Sequence, residues 1–185
     1  MTTTIKTVGH KHTKDEILEG ALEAAFADGL SQLTFGRLAK RLGISDRVVV
    51  YYFPTKGDLI GDVVVAMGLQ LQVTLAAAFA EPAADHIELV AAAWPMVATA
   101  DADPVFALFF EAIGLASIGR VPYRDLVPAL VEGWITWAAG FVVGAPEQQR
   151  VEAETAIALL DGLLLLRQLA GADAADRAAR RIGVY

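Results

Sequence analysis

Apolar residues recur along this chain at intervals of three and four, the period of helices with one buried face, with little of the alternation expected of half-buried strands. Ile17, Leu18, Ala21, Leu22, Ala25 and Phe26 form one such stripe, preceded by a capping-box pair, Thr13 and Glu16, and closed by Gly29. Thr34 can cap a second helix through Leu38, Ala39 and Leu42, which Gly43 stops by adopting the left-handed conformation. Ser45 can cap a third, in which Val49 and Phe53 turn inward while Asp46, Arg47, Val48 and Tyr51 face out. The run from Val48 to Phe53 is β-branched and aromatic, and by propensity alone it would make a strand. It lacks alternation and a partner strand, and helix caps flank it, so the helix is preferred.

Pro54 ends the third helix, and Thr55 with Asp58 caps a long one from Gly57 to about Ala80. Prolines at 82, 95, 104, 122, 128 and 146, with Gly171, then punctuate helices near 84–100, 104–118, 123–143, 147–170 and 173–182, and a kink is expected at Pro95. The chain is predicted to be all-α.

Two short helices around a glycine turn, the second with an outward face of Arg, Asp, an apolar group and Tyr, suit base edges and phosphates. Lys56 at the first turn of the long helix gains nothing from the helix dipole and calls for an outside anion, such as a DNA phosphate. From Leu33 to Ser45, and again over Tyr51, Tyr52, Phe53, Pro54, Thr55 and Lys56, the chain resembles the DNA-binding domain of tetracycline-repressor-type (TetR family) transcription regulators. The resemblance covers about the first third of the chain. It implies a three-helix helix-turn-helix domain over 1–56, with 1–12 a flexible arm, followed over 57–185 by a helical domain that binds an effector and dimerises. Carried over by position, it implies phosphate contacts at Thr34, Tyr52 and Lys56, and groove contacts at Ser45, Arg47, Val48 and Tyr51. Val50 stands where family members often carry tyrosine, and Gly36 where some carry a base-reading polar side chain, so the operator sequence does not transfer.

Composition sharpens this picture. The 185 residues are 55% hydrophobic, enough for a sizeable core, and the absence of cysteine excludes disulfides, thiolate metal sites and cysteine nucleophiles, as befits a cytoplasmic protein. No signal-peptide pattern is read at the N-terminus, and Glu132, Asp161 and Arg167 interrupt the later apolar windows, so no membrane association is expected. The net charge of −7 is unevenly spread. Residues 31–56 carry five cations (Arg37, Lys40, Arg41, Arg47, Lys56) against Asp46, a local +4, whereas residues 61–185 carry seven Arg against fifteen Asp or Glu, a local −8. Positive charge is thus concentrated on the reading unit, and binding to double-stranded DNA should be salt-dependent. The basic segment before the first helix, with Lys6, His10, Lys11, His12 and Lys14, could lie along DNA as an arm. Neither a metal nor a cofactor is assigned.

Two aromatic groupings could line a ligand chamber: Phe106, Phe109 and Phe110 on one helical face, and Trp134, Trp137 and Phe141 on another, with Trp94 beside Pro95. Plain core packing is the competing reading. With only Thr99, Glu111, Tyr123, Arg124 and Thr136 as nearby polar groups, the expected effector is small and hydrophobic or aromatic. The segment 147–170 is apolar almost all round, which points either to a two-fold dimer on a near-palindromic operator or to a central helix of a monomer. Asp161 and Arg167 in that helix either pair or mark the pocket. The expected function is a DNA-binding regulator, a repressor released by its effector, and not an enzyme, because no serine has a histidine and an acid at a suggestive spacing. The alternative is a helical ligand-binding or interaction module with little DNA-binding activity.

Overall fold

The computed structural model describes residues 12–184. Among these, nine α-helices follow one another: α1 Lys14–Asp28, α2 Phe35–Leu42, α3 Asp46–Tyr52, α4 Lys56–Ala76, α5 His86–Val97, α6 Asp103–Ser117, α7 Tyr123–Ala139, α8 Pro146–Ala170 and α9 Ala172–Arg181. A 3₁₀ turn, Leu30–Gln32, joins α1 to α2, and an isolated β-bridge links Ala83 with Val142.

Local chemistry accounts for most of the boundaries. Thr13 accepts from the Glu16 N–H at 3.2 Å while Glu16 accepts from the Thr13 N–H at 2.9 Å, and Thr55 with Asp58 repeats this reciprocal cap at the start of α4. Thr34 caps α2 through the Arg37 N–H, and Gly43 ends α2 at φ 67°, in the left-handed region. Ser45 departs from expectation. It occupies the N-cap position of α3, but its side chain makes no capping bond, so α3 is held by packing instead. The β-branched run is helical because both inward residues, Val49 and Phe53, are fully buried against the neighbouring helices, which overrides strand propensity. Helix α5 stops at Val97, two residues beyond Pro95, and α4 stops at Ala76, four residues short of the sequence reading.

The buried face of α1 is Ile17, Gly20, Ala21, Ala24 and Ala25, whereas Phe26 is 41% exposed and lies off the core stripe. One apolar cluster runs from α1, α2 and α3 through Leu59, Ile60, Val63 and Met67 of α4, and is closed by Leu108 and Ala112 of α6 and Tyr123 and Val127 of α7. A second gathers Leu75 of α4, Trp94 and Val97 of α5, Phe106 of α6, and Leu163 and Leu164 of α8. Helix α4 therefore belongs to both. By length and composition alone α4 could cross a membrane, with 21 residues and a mean hydropathy of 1.7, a window that the sequence reading overlooked; here its apolar residues supply the join between the two clusters.

Replacing Gly43 with alanine tests the α2 stop in isolation, because an added Cβ would meet no atom within 4 Å and only the left-handed backbone is penalised. A loss of about 1–2 kcal/mol in chemical denaturation is expected.

Candidate functional site

The candidate reading face is built on α2 and α3. Asp46, Arg47, Val50 and Tyr51 are exposed on α3 at helical spacing, and Tyr51 is 77% exposed. Val48 is half-buried and packs on the first cluster, so the outward apolar position is Val50. A helical wheel centred on Val49 and Phe53 puts Val48 further from the core than Val50, so the periodicity by itself points to the wrong valine. Arg37, Lys40, Arg41 and Lys56 are all exposed around α3, and Thr34 and Ser45 are exposed beside them. Arg37 donates to the Gln32 side chain at 2.5 Å. Gly36 adjoins the Asp46 carboxylate, 3.6 Å from where a Cβ would stand.

The half-buried Tyr52 hydroxyl donates to the His12 carbonyl at 2.8 Å, anchoring the chain just before α1, and its ring packs edge-on to Tyr51. Lys14 leaves the proposed DNA arm, since it lies in the first turn of α1, pairs with Asp62 of α4 at 2.6 Å and sits over the Phe53 ring. Lys6, His10 and Lys11 lie outside the described residues.

A cavity of about 80 Å³ opens between α4, α6, α7 and α8. Helix α4 lines it with Val64, Met67, Gly68, Leu71 and Leu75, and α6 with Val105, Phe106 and Phe109. Leu130, Val131 and Trp134 come from α7, and Ile157, Leu160 and Asp161 from α8. On the measure by which one water needs roughly 10–15 Å³, this is room for a small organic molecule.

Of the seven aromatic residues expected at a chamber, Phe106, Phe109 and Trp134 line this cavity, and Trp94, Phe110, Trp137 and Phe141 do not. Trp94 is 1% exposed in the second cluster, while Trp137 and Phe141 stack with Phe79 at ring-centre distances of 5.7 and 4.9 Å. Helical spacing gives the face but not the depth at which a ring is buried. The polar groups expected near the chamber are engaged elsewhere: Thr99 caps the turn before α6, Arg124 pairs with Asp125, and Thr136 bonds back to the Glu132 carbonyl. Tyr123 is buried in the first cluster with its hydroxyl unpartnered among the described residues, and burial pushes its pKa up to about 12.

Asp161 and Arg167 part company. The Arg167 guanidinium forks onto Asp103 of α6, at 2.6 and 3.1 Å, whereas Asp161 lines the cavity with no described hydrogen-bond or ion-pair partner. Burial pushes the Asp161 pKa up to about 6.

Glu111 was missed as a linking residue. From α6, half a turn past Phe109, it accepts from the N–H groups of Leu30 and Ser31, both at 2.8 Å, and so caps the 3₁₀ turn that precedes α2. The partners lie 81 and 80 residues apart, with no local pattern to announce the contact.

The all-helical fold, with a capped helix-turn-helix whose exposed face is cationic, defines a DNA-binding class of protein. Residues 17–63 match the family model of the bacterial regulatory proteins, tetR family, so the N-terminal domain is a TetR-type DNA-binding domain. Solved structures share the fold along nearly the whole chain. A transcriptional regulator from Rhodococcus sp. Rha1 is 18% identical with a TM-score of 0.72, covering 94% of each chain. A TetR transcriptional regulator from Legionella pneumophila is 21% identical with a TM-score of 0.61, covering 95% of this chain and 97% of its own. The multidrug binding protein EbrR, solved with proflavin, is 21% identical with a TM-score of 0.67, covering 92% of this chain and 96% of its own. No curated protein matches the chain.

Two variants test the geometry of these links. Glu111→Ala leaves two N–H groups of the 3₁₀ turn without their acceptor and should cost about 1–3 kcal/mol in denaturation, with Glu111→Gln intermediate because it keeps one acceptor. For Asp161 the folded pKa lies above the unfolded one, so between about pH 4 and 6 the folded protein binds more protons and stability falls as pH rises. Asp161→Asn should therefore stabilise the protein by roughly 2–3 kcal/mol near pH 7.5 and have almost no effect near pH 3.5, as read by thermal unfolding across pH.

Proposed function

We propose that this regulator is a sequence-specific repressor, acting in the cytoplasm as a homodimer, which a small hydrophobic or aromatic effector releases from a near-palindromic operator. The observation that carries the proposal is the double duty of α4, which begins beside the reading face with exposed Lys56 and lines the cavity from Val64 to Leu75. Eleven residues separate Lys56 from Met67, about 17 Å along one continuous helix. A molecule entering the cavity that favours a different setting of α4 and α6 would shift the population away from the DNA-competent arrangement. Glu111 would transmit the α6 movement directly to the turn before α2.

On DNA, Arg47, Val50 and Tyr51 are the proposed groove contacts, with Ser45 and Asp46 at the start of α3 beside them. Thr34, Arg37 and Lys56 are the proposed phosphate contacts, and Val50 offers an apolar surface to a thymine methyl group. Support for the dimer comes from α8, whose side away from the core presents Val151, Ala158, Gly162, Leu165 and Leu169; Leu169 is 79% exposed. Pairing along this stripe would set two reading helices about 34 Å apart, in successive major grooves. EbrR, which shares this fold, was solved with proflavin, an aromatic molecule, and so supports an aromatic effector.

Fluorescence anisotropy on DNA flanking the gene, against scrambled DNA at two salt concentrations, tests the reading. Tight and preferential binding that weakens with salt is expected. Arg47→Ala should cost about 1–3 kcal/mol and blunt the sequence preference, whereas Lys56→Ala should weaken all DNAs alike and flatten the salt dependence. Equal weak binding to flanking and scrambled DNA, together with an empty genomic-fragment selection, would defeat the proposal.

A further inference from the structure

Asp161 gives the cavity a chemical preference that its apolar walls do not have. It is the one ionisable group in the described lining and has no described partner. The arginines that could compensate it are otherwise occupied: Arg167 on the same helix is held by Asp103, Arg150 by Glu132 and Glu154, and Arg124 by Asp125. No lysine occurs between residues 61 and 185. An uncompensated carboxylate beside apolar side chains is costly, and the cost falls when a cation is brought to it. The same wall carries Phe106, Phe109 and Trp134, whose ring faces attract positive charge and whose area suits an apolar body.

We infer that the cavity selects a small lipophilic cation, an amine or quaternary ammonium, with its positive end at Asp161 and its apolar body against Phe106, Phe109 and Trp134. This narrows the hydrophobic effector of the proposed function to one charge class, and it rests on that reading of the cavity. A neutral molecule of equal shape would leave Asp161 unpaired and lose the attraction to the rings. An anion would add repulsion. Selectivity therefore resides mainly in one carboxylate, reinforced by the ring faces, while the aliphatic wall supplies general affinity.

The test uses two isosteres on the full-length protein near neutral pH, benzyltrimethylammonium and the uncharged neopentylbenzene, followed by tryptophan fluorescence and calorimetry. The cation should bind roughly tenfold or more tightly than the hydrocarbon. Asp161→Asn should sharply reduce that preference, to the part the rings supply, while leaving the affinity for neopentylbenzene within about twofold, and the comparison within the wild-type protein stands even if the variant folds poorly. Equal binding of the two probes, or tighter binding of neopentylbenzene, would overturn the cation preference and leave the apolar effector cavity intact. Failure of both probes to bind would overturn both. A cation that binds but does not displace DNA would count against ligand-driven release and leave the selectivity of the site established.

Discussion

Helix α4 is obliged to satisfy two hydrophobic clusters at once, and the rest of the molecule is arranged around that obligation. Leu59, Ile60 and Val63 complete the core of the N-terminal helices, and Leu75 belongs to the second cluster, among the C-terminal helices. Rotating or sliding α4 to improve one set of contacts disturbs the other, because close-packed interiors tolerate few intermediate arrangements. Such a helix can carry a change from one end to the other. The cavity lies against the middle and far part of α4, where Gly68 leaves space beside Trp134.

The second link is polar. Glu111 reaches from α6 to the 3₁₀ turn before α2, and Phe106 and Phe109 of the same helix line the cavity. One helix therefore touches both the cavity and the N-terminal domain, through side chains less than two turns apart. The Arg167 fork on Asp103 fixes the start of α6 against α8, so that ring contacts, ion pair and cap all act on α6 as a unit. With α4, this makes two physical connections between the proposed effector site and the reading face.

Charge follows the same division. Exposed Arg37, Lys40, Arg41, Arg47 and Lys56 surround α3, while in the acidic remainder Arg124, Arg150 and Arg167 are held in ion pairs. The net charge of −7 is thus compatible with DNA binding because the field that DNA meets is local. Asp161 is the exception among the acidic groups, a carboxylate turned to an apolar cavity with no described compensating partner.

Much of the architecture was legible in the sequence because it rests on short-range chemistry. Caps at Thr13, Thr34 and Thr55, the left-handed stop at Gly43 and the 3.6-residue periodicity each act within a few residues, so nine helices and the helix-turn-helix could be read directly. The sequence by itself determined the fold class, the cationic reading unit and the order of elements. Only the tertiary structure decided which aromatic rings line the cavity, that Val50 rather than Val48 faces outward, that the Tyr52 hydroxyl serves His12, and that Glu111 ties α6 to a turn some 80 residues away. The reason is physical: caps and periodicity are set by neighbours along the chain, whereas burial depth, ring stacking and long-range hydrogen bonds depend on the angles at which helices cross, which no local window encodes.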